Sequence, residues 1–361
     1  MNFETIFKEK IELEKLVVAL TRENMELKQR YNCNSGADQL FADYILTWLQ
    51  NTKLKVKQNT YDAYVCQVYG HIEPYFRAKG LKLSDITPLV LENYYHDKYL
   101  SGLCGATLKK HHSNIRMALK SAVKNGIIPY NPADSADTLP MKKYVGIALT
   151  QNQLEKLLEY IKINKPRIYL PVFIAISMGL RRSEVLGLRW SDIDFDAGVL
   201  HIQHTAVKSM KDHHTEIIFS DIPKTKSSRR TLPLPEKIYE HLKHIKGKQR
   251  IFYAKNRKNY CKEYLKYICV DNLGNFITPN YLSAQFKEAV ENCNIKCRFH
   301  DLRHTCASLL IQNGVPLKSV SQWLGHSSIN VTSEVYIHLT FQDKVKVAEE
   351  IEKILFDRSE K

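Results

Sequence analysis

The sequence predicts a mainly α protein with one small antiparallel β-sheet, an α+β fold in two domains. Three observations carry this. Apolar residues keep helical spacing through most of 37–130. Near 198 the period changes to strand-like alternation in VLHIQHTAV, TEIIFSDIP and RRTLPLP. Helical stripes return from about 235. With 361 residues, the chain is long for one domain and suits two plus a small extra piece.

Residues 1–36 read as an N-terminal helical, coiled-coil-like segment. Ile6, Leu13, Leu20 and Leu27 recur every seven residues, and Asn24 falls at a companion core position. A buried Asn there sets register between paired helices. A lone amphipathic helix lying on the next domain fits the same pattern. Asn34, Ser35 and Gly36 end the segment.

Residues 37–131 read as a helical domain. Phe41, Tyr44, Ile45 and Trp48 share one helical face. Thr60 is placed to cap a helix that runs to about Lys79 and stops at Gly80. Thr87-Pro88 starts another. Leu108, His112, Ile115, Leu119 and Ala122 stripe a fourth, ended by Asn125-Gly126. Lys109, Lys110, Arg116, Lys120 and Lys124 decorate that helix. They form either an ordinary solvated face or a phosphate-contacting one.

Residues 132–148 lose periodicity and read as a linker. Thr150 and Gln153 form a capping box, which opens a second domain over 149–345. PVFIAISMGL is a buried helix. The three alternating segments make one antiparallel sheet, and helices follow over 280–293, 300–314 and 316–325, with Gly314 and Gly325 at helix ends. Residues 346–361 form a C-terminal tail helix.

The charge balance narrows the function. Against 38 Asp and Glu stand 53 Lys and Arg, a net +15, which favours a polyanionic partner and nucleic acid first. No run approaches the ~18 apolar residues of a membrane span. The N-terminus lacks a signal-peptide core. Eight scattered cysteines suit free thiols in a reducing cytosol.

FHDLRHT, at 299–305, poses the chemical question. His300 and His304 are spaced as a metal pair, and His300 and Arg303 as an anion grip. Cys293, Cys297, His300 and His304 lack the longer spacer that lets a chain wrap zinc. The anion reading gathers more of the chain. GLRRSE presents Arg181 at the end of a buried helix, with Glu184 one turn on. PKTKSSRRTLPLP places Lys224 at a turn between strands. LGHSS puts His326 beyond a helix end, and VYIHL carries Tyr336 ten residues later. Guanidiniums grip phosphate oxygens and stabilise transition-state charge. A tyrosine hydroxyl, with pKa near 10, needs a base or a cationic field to act as nucleophile. His and Lys can move the protons.

Together GLRRSE, PKTKSSRRTLPLP, HDLRH, LGHSS and the tyrosine of VYIHL resemble the tyrosine recombinases, or phage integrases, over residues 38 to 345. The wording TKSSRRTLPL is similar to integrases of bacterial mobile elements. The resemblance implies a helical core-binding (SAM-like) domain followed by a tyrosine recombinase catalytic domain. It implies that Arg181 and Arg303 bind the scissile phosphate and that Lys224 is general acid for the 5′-hydroxyl. His300 assists proton transfer, His326 hydrogen-bonds the phosphate, and Tyr336 is the nucleophile of a 3′-phosphotyrosyl intermediate. Glu184 is expected to orient Arg181, and His304 to be a structural or capping residue. Neither metal nor cofactor is called for.

The expected activity is site-specific recombination of double-stranded DNA, integrating or excising a mobile element. A homotetramer on paired sites would carry it out in the bacterial cytoplasm, at the nucleoid, with accessory bending or excision factors. A catalytically silent DNA binder and a type IB topoisomerase are the alternatives. The N-terminal segment is shorter than the arm-binding domain of many such integrases, so pairing between protomers is its expected role. The tail is expected to dock on a neighbouring protomer or in cis.

Overall fold

The computed structural model describes residues 16–17, 19–21, 36–140, 146–211, 214–221 and 229–325. Lys224, His326, Tyr336, the tail and most of the heptad segment lie outside them. Of that segment, Leu16, Val17 and Leu20 are described and exposed. The chain divides into two compact units, 1–143 and 144–361.

The first unit is helical: α1 (Phe41–Thr52), α2 (Gln58–Gln67), α3 (Glu73–Lys79), α4 (Pro88–Leu100) and α5 (Gly105–Lys124). The Phe41 stripe is buried, and Phe41 meets Phe76 edge to face at 4.8 Å. Each large side chain buried this way contributes about 1.5–3 kcal/mol. Thr87 caps α4 by accepting from the Val90 N–H at 3.3 Å. Gly80 ends α3 at φ 61°, a left-handed turn that suits glycine.

Thr60 is not the cap expected of it. Lys57 O already accepts from the N–H groups of Thr60 and Tyr61, so α2 begins at Gln58. One π-helical turn, Val68–Ile72, joins α2 to α3. On α5 the heptad-like stripe understates the burial. His111 is fully buried and pairs with the Tyr94 hydroxyl at 2.9 Å, while His112 is half-buried. Lys109, Lys110, Arg116, Lys120 and Lys124 are exposed on the other side of α5.

The second unit opens with the Thr150–Gln153 capping box, closed in both directions at 3.3 and 3.0 Å. Its helices are α6 (Gln151–Asn164), α7 (Pro166–Met178), α8 (Arg182–Gly187), α9 (Glu236–Lys255), α10 (Pro279–Asn292), α11 (Asp301–Gln312) and α12 (Leu317–Leu324). Leu157, Ile161, Val172, Leu186, Phe286 and Leu302 are part of one continuous core.

The strands form two sheets rather than one. β1 (Ile193–Asp194), β2 (Val199–Ile202) and β5 (Arg230–Pro233) pair antiparallel in the order β1-β2-β5. β3 (Thr205–Lys211) and β4 (His214–Ser220) make a separate hairpin. The expected strand VLHIQHTAV breaks at Gln203-His204 because both side chains turn to one buried carboxylate. Asp192 accepts from Gln203 Nε2 at 3.0 Å and pairs with His204 Nδ1 at 2.8 Å. Gly187 also packs directly on the Thr205 backbone, where a Cβ would stand 2.5 Å from Cα.

No helix among the described residues is long and apolar enough to cross a membrane.

Candidate active site

The apolar run of α7 ends at Gly179, φ +64°. A Cβ there would lie 2.4 Å from Leu324 Cδ2. Both conditions demand glycine. Gly179→Ala combines a left-handed penalty of about 1–2 kcal/mol with overpacking of about 1–3 kcal/mol. The expected result is a loss of about 2–5 kcal/mol in urea unfolding. A wild-type midpoint would refute the packing described here.

Two residues later the chain enters α8 with Arg181 as its N-cap. The Arg181 N–H donates to Glu184 Oε2 at 3.0 Å, and its Nη1 donates to Glu184 Oε1 at 2.7 Å. Nη2 reaches the Gly325 carbonyl at 3.3 Å. The Arg181 side chain is one-third exposed.

Glu184 is 2% exposed and sits among three arginines: Arg181 at 2.7 Å, Arg230 at 3.1 Å and Arg303 at 4.0 Å. Burial alone would raise its pKa. Arg230 first, and then Arg181, outweigh burial and hold the carboxyl below its ordinary value.

Arg303 comes from the first turn of α11 and is 2% exposed. Its Nη1 donates to the Gly179 carbonyl at 2.8 Å and its Nη2 to the Leu324 carbonyl at 2.5 Å. Burial first, then the charge of Arg181, pushes its pKa down to about 9, which leaves it cationic at neutral pH.

The end of α12 is the meeting point. Its last carbonyls have no partner inside the helix. Arg230 Nε donates to Trp323 O at 2.7 Å, Arg303 to Leu324 O and Arg181 to Gly325 O. Three cations from three elements thus take three successive carbonyls at the negative end of the helix. The residue that follows is His326.

His300 stands at the N-cap of α11 with its surface open to solvent. Its ring meets His304 edge-on at 5.2 Å. Packing of the ring against protein first, then the charges of His304, Arg303 and Arg181, lowers its pKa from the ordinary histidine value. His304 is half-buried and packs on Gly146, where a Cβ would lie 2.8 Å from the ring. Cys293 is buried in the main core. Among the described residues no three metal-binding side chains converge.

Beside Arg181 and His300 opens a cleft of about 610 Å³, also lined by Arg182, Lys287 and Arg298. Arg182 is braced against Ser283 and the Pro279 carbonyl. Four cationic side chains and a histidine around one cleft suit an anionic ligand.

Lys224 lies in 222–228, outside the described residues, and the described residues on either side are tied to each other. Arg229 Nη2 donates to the Asp221 carbonyl at 3.1 Å, and Arg189 Nη2 donates to the Asp221 carboxylate at 2.7 Å.

The structure therefore brings Arg181, His300 and Arg303 together with Glu184. It adds Arg230, to which the sequence reading assigns no role. The signal was the paired Arg229-Arg230 ahead of an alternating strand.

Comparison with known proteins decides the family. The phage integrase family pattern matches residues 148–343, and the phage integrase SAM-like domain matches residues 40–139. This chain belongs to the phage integrase family. A "Tyrosine recombinase XerC-like" protein of Caldanaerobacter subterraneus subsp. tengcongensis is 30% identical, over 86% of this chain and 82% of that one. The ICEBs1 integrase of Bacillus subtilis is 24% identical, over 96% and 90% respectively. In fold, the chain is similar to the Tn1549 transposon integrase solved in complex with a circular intermediate DNA. The TM-score is 0.70 at 22% identity, covering 87% of this chain and 99% of that one. The phage integrase described here is accordingly a tyrosine recombinase, an enzyme of DNA strand breakage and rejoining.

Proposed function

We propose that this recombinase integrates or excises a mobile DNA element, with Arg181, Lys224, His300, Arg303, His326 and Tyr336 as its reacting set. The observation that carries the reading is the convergence of Arg181 and Arg303 on the end of α12, immediately before His326, with His300 at the rim. Arg181 and Arg303 hold the scissile phosphate and stabilise the charge of its pentacoordinate transition state. Tyr336 attacks phosphorus. A phenol needs help to lose its proton near neutral pH, and the arginine field together with His300 supplies it. Lys224 gives a proton to the departing 5′-oxygen. The 3′-phosphotyrosyl bond preserves the energy of the cleaved phosphodiester, so a new strand can be joined without ATP.

Residues 37–131 serve as the core-binding domain and 149–345 as the catalytic domain, joined by the linker 132–148. The exposed lysines of α5 contact DNA phosphates, and affinity falls steeply with salt. The enzyme acts as a homotetramer on paired sites in the cytoplasm. Residues 1–36 pair protomers, the tail 346–361 contributes to assembly, and accessory bending or excision factors choose the direction.

The test is a suicide duplex carrying the element end, nicked close to the cut site. Wild-type protein is expected to form a covalent adduct, with or without a chelator, and Tyr336→Phe to form none. Tight DNA binding with no adduct at any native end would favour a silent DNA binder instead.

A further inference from the structure

We propose that Arg230 is a positioning residue of this active site: it sets the orientation of Arg181 through Glu184 and locks the end of α12, without itself touching DNA. The inference rests on the reading of Arg181 as a phosphate ligand.

Arg230 is the first residue of β5, two residues after the segment 222–228 that contains Lys224. Its side chain is 7% exposed and turns inward. The guanidinium approaches Glu184 with both ends of its fork, Nη2 to Oε2 at 3.1 Å and Nη1 to Oε1 at 3.5 Å. Its Nε is spent on the Trp323 carbonyl at 2.7 Å. Glu184 divides the same two oxygens with Arg181, giving Oε1 to the guanidinium and Oε2 to the backbone N–H. The position of that carboxylate therefore fixes where Arg181 points.

With Arg230 removed, Glu184 loses the strongest of the charges that keep it ionised in a buried place. Its hold on Arg181 weakens with it. The same change frees the Trp323 carbonyl, three residues before His326. One side chain thus connects the Arg181 turn, the approach to His326 and the strand that follows Lys224. A lysine can offer Glu184 a charge, but it cannot also present a fork and cap the carbonyl.

Misplacement of a reacting group by about 1 Å costs on the order of 100-fold in rate. For Arg230→Ala we expect the single-turnover cleavage rate at saturating suicide substrate to fall by about that factor. Affinity for the same duplex should change less than about threefold, because Arg230 makes no phosphate contact to contribute a counterion-release term. Arg230→Lys should recover part of the rate. It also keeps the buried charge paired, so it carries the test if the alanine variant does not fold.

A folded Arg230→Lys protein that cleaves at the wild-type rate would overturn the inference. So would rate losses that follow affinity losses in parallel. Wild-type protein and Tyr336→Phe, run alongside, separate the two readings. An adduct from wild type alone leaves the tyrosine mechanism standing whatever Arg230 does. No wild-type adduct removes both.

Discussion

Replacing Arg303 with alanine is expected to reduce strand cleavage by about two to three orders of magnitude and to destabilise the catalytic unit. The two effects have separate origins. Catalytically, the variant loses a cation fixed beside Arg181, and loss of one preorganised donor to a developing anion costs about 100- to 1,000-fold. Structurally, Arg303 satisfies the Gly179 and Leu324 carbonyls in a place 2% exposed. Each buried acceptor left unpaired costs about 1–3 kcal/mol. The sum is a large fraction of the ~5–15 kcal/mol that holds a domain folded. Urea unfolding and single-turnover cleavage at 15–20 °C measure the two losses independently. Arg303→Lys separates them further, since it keeps the charge and can fill one carbonyl. Intact cleavage by folded Arg303→Ala would remove Arg303 from the chemistry.

Glu184→Gln is expected to cost about 3–5 kcal/mol of stability at pH 7, the usual consequence of breaking a buried ion pair from one side. Here one carboxylate serves Arg181 and Arg230 within 3.1 Å, and Arg303 stands at 4.0 Å. Without it those guanidiniums repel one another in a poorly solvated place. The pH dependence identifies the cause. In the folded protein the Glu184 carboxyl is held below its ordinary value of 4.5, first against burial and then by Arg230 and Arg181. A depressed carboxyl contributes stability that is complete above the unfolded value and disappears as pH falls through the folded one. The gap between wild type and Glu184→Gln should therefore be widest at neutral pH and close as acid is added below 4.5. A gap that does not change with pH would assign the loss to packing. Cleavage should fall as well, because the single amide oxygen of glutamine replaces only one of the two acceptors that Glu184 offers the Arg181 N–H and guanidinium.

Local signals were legible in the chain wherever the physics is local. The Thr150–Gln153 box, the Thr87-Pro88 start and the Gly80 stop depend on a few neighbouring residues, and each is found in place. The α+β class was legible in the changes of apolar period along the chain, and the family and the recombinase activity because five short motifs keep a fixed order. What escaped depends on contacts between distant segments. The break at Gln203-His204 is made by Asp192, which is buried and eleven residues earlier. Arg303 lies on the expected helix, but periodicity does not say that it caps carbonyls of α7 and α12. Arg230 looks like one of two surface arginines until Glu184 and Trp323 are brought to it by the fold. Sequence spacing reveals which residues share a helix face. Which buried charge neutralises which is a property of packing.

Tyr336 is expected to become covalently linked to DNA, and the decisive measurement is the location of that link. Wild-type protein is trapped on a nicked suicide duplex, digested with nuclease and trypsin, and mapped by tandem mass spectrometry. The tryptic peptide 319–344 contains Tyr336 and no other tyrosine. The mechanism predicts a nucleotide phosphate on Tyr336 in that peptide, and none after Tyr336→Phe. A nucleotide on any other residue, or an adduct that survives Tyr336→Phe, would contradict it.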